Sequence, residues 1–185
     1  MDPATWILIG IGALIVILVL YAIAKRNSFI RAENTIENAL GQIDVQLQRR
    51  GELIPNLVET VKGYAAHEKG VFKAVSDARA AMITAKSPDA KLKADGVLTQ
   101  ALGKLFAIAE AYPELKANTN FLQLQDELSS TENRVAYSRQ HYNDAVLTFN
   151  NGIRTFPGSM FKGARVPKAM LAVPEGSKAV PKVAF

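Results

Sequence analysis

The sequence predicts an all-α protein, with a single N-terminal transmembrane helix followed by a long antiparallel bundle of about three to four helices. Three observations carry this. Residues Ala4–Ala24, ATWILIGIGALIVILVLYAIA, hold no charged side chain. Apolar residues then recur every three and four positions through most of the remaining chain, the period of one helix face. No strand-like alternation of useful length occurs before the C-terminal tail. The expected division is a transmembrane anchor at 1–26, a helical bundle at 27–156 and a Pro/Lys-rich tail at 157–185.

The first element is long enough to span a bilayer. About 21 residues rising about 1.5 Å each cover the roughly 30 Å hydrocarbon core. A cleaved signal peptide would need a basic leading region and a shorter apolar run, and Met1-Asp2-Pro3 supplies no basic residue. A lipoprotein would need a cysteine, and the chain has none. Trp6 and Tyr21 stand near the two ends, where amphipathic rings favour the headgroup level. Lys25, Arg26 and Arg31 follow the span and no basic residue precedes it, so the positive-inside bias puts the N-terminus outside and the C-terminal bundle in the cytoplasm. Gly10 and Gly12 are too close in sequence for a small-xxx-small helix contact.

Composition narrows the function classes. With no cysteine there is no disulfide, zinc–thiolate site, thiol nucleophile or iron–sulfur cluster. Net charge is +5, and it concentrates at the end of the chain: Lys162, Arg165, Lys168, Lys178 and Lys182 face only Glu175 after residue 156. The helical body is nearly neutral, which argues against a nucleic-acid surface.

From Asn27 to Lys86 the apolar stripe runs through Ile36, Leu40, Ile43 and Leu47, then Ile54, Leu57, Val61 and Tyr64, then Val71, Val75, Ala78 and Met82. It reads as one very long helix or two nearly collinear ones, with a heptad-like, coiled-coil character. Pro55 lacks an amide proton, and its ring crowds the carbonyl of Gly51, so a kink or break is expected at Gly51–Pro55. Arg50 falls where the stripe calls for an apolar residue. Either the kink turns it to solvent, or it is a semi-buried guanidinium paired with a carboxylate on a facing helix, for which Glu132 is a candidate.

Ser87-Pro88-Asp89 reads as a helix start, with Ser as N-cap, Pro at the first helical position and Asp near the positive end of the dipole. That helix runs to about Tyr112, with Leu92, Leu98, Leu102, Leu105, Phe106 and Ala109 inward; Pro113 marks a break or a new start. The next helix, from about Asn118 to Thr155, carries Phe121, Leu128, Val135, Tyr142, Phe149 and Phe156 at seven-residue spacing. Mostly small residues lie between them: Leu124, Thr131, Ser138, Ala145 and Gly152. Alternating large and small residues let helices approach closely. Phe156-Pro157-Gly158 ends the helix.

No catalytic constellation emerges. His67-Glu68 opens like a zinc-protease HExxH, but position 71 is Val71. A helical di-iron site needs Glu three residues before His, and those positions hold Tyr64 and Ser138. Ser159–Lys162 spells SxxK without any supporting motif. The expectation is a chain with no metal, no cofactor, no small-molecule substrate and no enzymatic activity. Asn56, Asn143 and Asn150 flank the stripes, either as interhelical hydrogen bonds that fix register or as a partner surface. The tail reads in two ways: as a disordered basic segment on anionic lipid, or as an extended strand over Val180–Phe185 docking on another subunit. Lys178, Lys182, Val183 and Phe185 are its candidate contact residues.

Two stretches, IDVQLQRRGELIPNLVETVKGYAAHE (43–68) and AYPELKANTNFLQLQDELSSTENRVAYSRQHYNDAVLTFNNGIRTFP (111–157), together with the ending VPEGSKAVPKVAF, resemble the LemA family. Gly51 stands where that family commonly has an acidic residue. The resemblance implies a bacterial inner-membrane protein with one N-terminal span and a bundle of about four helices. Family members often occur beside membrane proteases, and one branch belongs to magnetosome membranes. No catalytic or cofactor site carries over. The expected role is a membrane-anchored, non-enzymatic scaffold or interaction protein, a homo-oligomer or an organiser of a membrane-protein partner such as a protease. The alternative is a membrane-surface or membrane-shaping module that engages anionic lipid through its basic segments.

Overall fold

The computed structural model describes residues 2–172. Five α-helices make up nearly all of the described chain: α1 (Pro3–Lys62), α2 (Lys69–Thr84), α3 (Pro88–Ala109), α4 (Pro113–Lys116) and α5 (Thr119–Arg154), followed by a 3-10 turn at Gly158–Met160. No strand occurs among the described residues. The all-α expectation is met. Lys178, Lys182, Val183 and Phe185 lie outside the described residues. The fold resolves into two compact units, one built from residues 2–38 and 142–170, the other from 39–141 with 171–172. The boundary therefore cuts the expected 27–156 bundle, and residues 157–170 belong to the first unit.

In the first unit, residues 3–20 of α1 are exposed throughout, and none of them belongs to the core. This segment is long and apolar enough to cross a membrane. The core of the unit begins at Phe29. Phe29 and Ile36 of α1 pack against Val146, Phe149 and Ile153 of α5, with Ala32, Tyr142, Ala145 and Phe161 at the margin. These spacings of three, four and seven are one helix face meeting another. Phe156, expected inward at the end of the seven-residue series, is instead 81% exposed. α5 stops at Arg154, so the helical period no longer aims position 156 at the core.

The second unit corrects the long-helix expectation in two ways. The helix does not break at Gly51–Pro55; α1 continues through Pro55 to Lys62. It ends instead at Lys62, and the chain turns over residues 63–68 before α2 starts. α2 packs back antiparallel to α1: Lys62 lies over the Phe72 ring at 5.8 Å, and Arg79 reaches Gly51. The reason the proline is tolerated is local. Pro55 cannot donate to the carbonyl of Gly51, four residues back. Arg79 Nε donates to that carbonyl instead, at 2.6 Å. The proline ring sits on the exposed face, and Gly51 is buried against Met82 and Ile83 of α2.

α3 starts as the sequence predicts. The Ser87 hydroxyl accepts from the Ala90 amide at 3.2 Å, with Pro88 in the first turn. Leu98, Leu102, Leu105 and Ala109 are buried; Leu92 and Phe106 are half-buried. Pro113 opens the short α4, which buries Leu115. The Asn118 side chain caps α5 by accepting from the Phe121 amide at 3.0 Å, and donates to the Tyr64 hydroxyl at 3.1 Å. The core draws on every helix of the unit, through residues such as Ile54, Leu57, Val75, Leu98, Leu115 and Leu128.

Candidate functional site

The most unusual group in the second unit is Arg50. It sits on the buried face of α1 between Leu47 and Ile54, three and four residues away, and is only 1% exposed. Helix α1 runs on through Pro55, and Arg50 stays on the same buried face as Leu47, Ile54 and Leu57. The solvent-facing alternative is thereby corrected. Its Nη1 donates to Asp95 Oδ1 on α3 at 2.6 Å, and its Nη2 donates to Glu132 Oε2 on α5 at 3.1 Å. One guanidinium thus joins three helices at one level. Arg is the side chain suited to this, since its planar fork presents separate donors to two carboxylates.

The two carboxylates differ in setting. Asp95 is 8% exposed, whereas the Glu132 side chain is 49% exposed. Burial raises the Asp95 carboxyl above its ordinary range; Arg50 pulls the other way and does not fully offset it. Arg139, one heptad after Glu132, lies near enough to feel Asp95. Its own affinity for a proton is lowered by partial burial, against the pull of Asp95. The cluster holds two cations and two anions. Arg50 Nε and, one turn earlier, Gln46 Oε1 are buried without a hydrogen-bond partner among the described residues.

Chemically, the cluster ties α1, α3 and α5 together through charge-assisted hydrogen bonds. Among the described residues, no group of three or more His, Cys, Asp or Glu side chains is placed to hold a metal ion. His67 and His141 are exposed. Asn56 is also exposed, on the rim of a shallow cleft between α1 and α5 lined by Leu53, Thr60, Asn120 and Gln123.

The first unit holds a second arrangement, around Asn150. This residue is 8% exposed, and its bonds do not run between helices, which corrects that expectation. Its Nδ2 donates to the Lys168 carbonyl at 2.9 Å, and its Oδ1 accepts from the Lys168 amide at 2.8 Å. A side-chain amide copies the donor–acceptor pair of a peptide, so it can clasp one residue of an extended segment as a neighbouring strand would. Tyr142 adds a bond from its hydroxyl to the Ala169 carbonyl at 3.3 Å. Asn143 is half-buried on the same helix. Arg165 closes the other side, with Nε donating to Glu33 Oε1 at 3.1 Å and the guanidinium 5.4 Å from the Phe29 ring centre. The part of the tail up to residue 170 is therefore not a free basic segment, while the strand expected over Val180–Phe185 lies outside the described residues. The part up to residue 170 is tied to the chain's own helices.

Sequence reasoning named Arg50, Glu132 and Asn150, but not Asp95, Arg79 or Glu33, and it named Arg165 only as part of the basic tail. Asp95 had a legible signal: it stands three and seven residues before Leu98 and Leu102, on the apolar face of α3. Arg79 had none, because its partner is a backbone carbonyl in another helix.

The chain resembles several characterised proteins. Magnetosome protein MamQ 2 of Paramagnetospirillum magneticum is 28% identical over 180 residues, covering 80% of this chain and 66% of that protein. Magnetosome protein MamQ of Magnetospirillum gryphiswaldense is 26% identical over 159 residues, covering 72% and 58%. Protein LemA of Metamycoplasma hominis is 26% identical over 137 residues, covering 72% and 62%. The chain thus spans less than two thirds of the length of these relatives. The LemA family model matches residues 39–185, which include the whole Arg50 cluster and Asn150, and the chain belongs to the LemA family.

Proposed function

We propose that this chain is a membrane-anchored, non-enzymatic helical scaffold that assembles with itself or organises a membrane-protein partner. The observation that carries the reading is α1. Its first part is apolar and wholly exposed, and the same helix continues without interruption into the packed residues that begin at Phe29. Exposed apolar surface on this scale is stable in lipid, not in water. The flanking Lys25, Arg26 and Arg31 support an orientation with the packed helices in the cytoplasm of a bacterium. Arg50, whose Nη donors are taken by carboxylates on two other helices, supports a rigid packed body. The name magnetosome protein, carried by the MamQ relatives, is compatible with an organising role here.

Cross-linking in native membranes, followed by mass measurement in mild detergent, tests this. The expected result is a discrete oligomer or a stable complex with an integral membrane protein. A strictly monomeric chain with no cross-linked neighbour overturns it. Orientation is tested separately: the chain has no cysteine, so a single Ala74→Cys variant can be labelled in spheroplasts. Protection from an impermeant maleimide is expected, and labelling without lysis reverses the assignment.

A further inference from the structure

The first unit contains a turn whose surface its own packing does not explain. α5 packs antiparallel on α1 from Phe29 onward, with Gly152 and Gly158 against the Phe29 ring. After α5 ends, the chain reverses. Arg165 returns to Glu33, and Lys168 returns to Asn150. The apex of this reversal, residues 156–162, is the part nearest the exposed apolar segment of α1. There Phe161 meets Tyr21 edge to face, with ring centres 5.6 Å apart. Tyr21 belongs to the end of the 4–24 span.

The apex is tightly packed on its inside and exposes two large apolar side chains on its outside. A Cβ at Gly158 would collide with the Gly152 carbonyl oxygen, so only glycine permits the turn to close this tightly onto α5. Phe156 and Met160 on this turn are 81% and 71% exposed, and the turn reaches the end of the span through Phe161 and Tyr21. Arg154 and Lys162 flank the turn in sequence and are exposed; Arg26, also exposed, follows Tyr21 on α1, as does Lys25, whose ammonium lies 5.7 Å from the centre of the Tyr21 ring. No acidic residue occurs between Asn27 and Ala32 or between Thr155 and Ala172.

We propose that this turn is a second membrane contact, with Phe156 and Met160 seated in the headgroup region of the bilayer that α1 crosses and the flanking Lys and Arg facing lipid phosphates. The occupant is lipid rather than protein because the patch is continuous, through Phe161 and Tyr21, with a segment that is itself suited to lipid. Aromatic side chains flanked by cations are the composition that interfaces favour. A single spanning helix can tilt and rotate freely. A second contact on a turn clamped to the same helix removes that freedom and fixes the angle at which the first unit leaves the bilayer. This inference rests on the membrane-anchor reading above and adds to it.

The test uses tryptophan as a depth probe in the full-length chain. Trp6 is the sole tryptophan and reports on the anchor. In a Trp6→Phe background, Phe156→Trp and, separately, Met160→Trp report on the turn; both sites are exposed, so neither change disturbs packing. Each protein is reconstituted in vesicles of phosphatidylcholine and phosphatidylglycerol, with and without lipids brominated near the headgroup end of the chains. Blue-shifted emission from both turn probes, quenched at least about twofold by the brominated lipid, is expected. Quenching of Trp6 without quenching of the turn probes overturns this inference and leaves the anchor standing. Blue-shifted but unquenched turn probes overturn it in favour of a protein cover. If Trp6 itself is unquenched, the anchor reading fails and this inference falls with it.

Discussion

In the second unit, the largest of the fully buried side chains is a charged one: Arg50, held by Asp95 and Glu132. In the first unit the packed centre is entirely apolar, from Phe29 to Ile153, and the polar contacts lie along the edge, where Asn150 and Arg165 hold an extended segment. The two units use polar groups for opposite purposes. A buried ion pair between helices is a poor source of net stability, because desolvation cancels much of the attraction, but it is severe on any arrangement that leaves one charge alone. It selects one register of α1, α3 and α5. An edge clasp made by a neutral amide carries a smaller desolvation cost and discriminates less. It decides whether a segment is attached, not how helices are aligned.

The comparison predicts unequal losses. Arg50→Ala strands Asp95 in the interior and is expected to cost about 3–5 kcal/mol. Combining Arg50→Met with Asp95→Leu should recover much of that, since a volume-matched apolar pair avoids desolvation. Chemical denaturation of the detergent-solubilised chain, with hydrogen exchange to localise the loss to residues 39–141, measures both. A loss under about 1 kcal/mol for Arg50→Ala would break the contrast, because that is the scale of an exposed ion pair.

Gly158→Ala in the first unit forces a Cβ against a backbone oxygen that cannot swing aside. The expected cost is about 1–3 kcal/mol, the range for overpacking, with faster exchange over 155–170 and little change in 39–141. Asn150→Ala removes two bonds and leaves the Lys168 amide and carbonyl without their partners. About 1–2 kcal/mol is expected, read as faster proteolysis within 161–170 while α5 stays protected. An equal loss of protection across α5 would show that the clasp aligns helices after all.

The smallest effect is in pH dependence. Burial holds the folded Asp95 carboxyl above its ordinary value of 3.8. Between that value and the raised one, the folded chain keeps a proton that the unfolded chain has lost. Stability contributed at this site therefore falls as pH rises through the window. Asp95→Asn should remove that slope, so the gap between wild type and variant narrows as pH climbs. Urea midpoints at a series of acidic pH values would show it; a gap that widens means the Arg50 attraction outweighs burial.

Much of the architecture is legible in the sequence, for reasons tied to particular residues. Helix start sites rest on local chemistry, as Ser87-Pro88 shows. Inward faces follow a period that packing does not alter, as Leu128, Val135 and Phe149 show. Gly51–Pro55 misled because a proline's missing bond is visible in sequence, whereas the group that replaces it is not. Arg79 is 28 residues away, on a helix whose direction depends on the turn at Gly63. Phe156 misled because a heptad continues on paper after the helix carrying it has stopped.

By itself, the sequence determined that α1 begins as an apolar segment of membrane-spanning length, that helices come after it, and that Arg50 occupies an apolar stripe. These depend on composition and on the fixed period of one helix. Only the tertiary structure decided that Asp95 and Glu132 meet Arg50, that Asn150 grips Lys168, and that the turn at 156–162 lies beside Tyr21. Each joins groups far apart in the chain, and such meetings depend on where helices reverse and which faces then oppose one another.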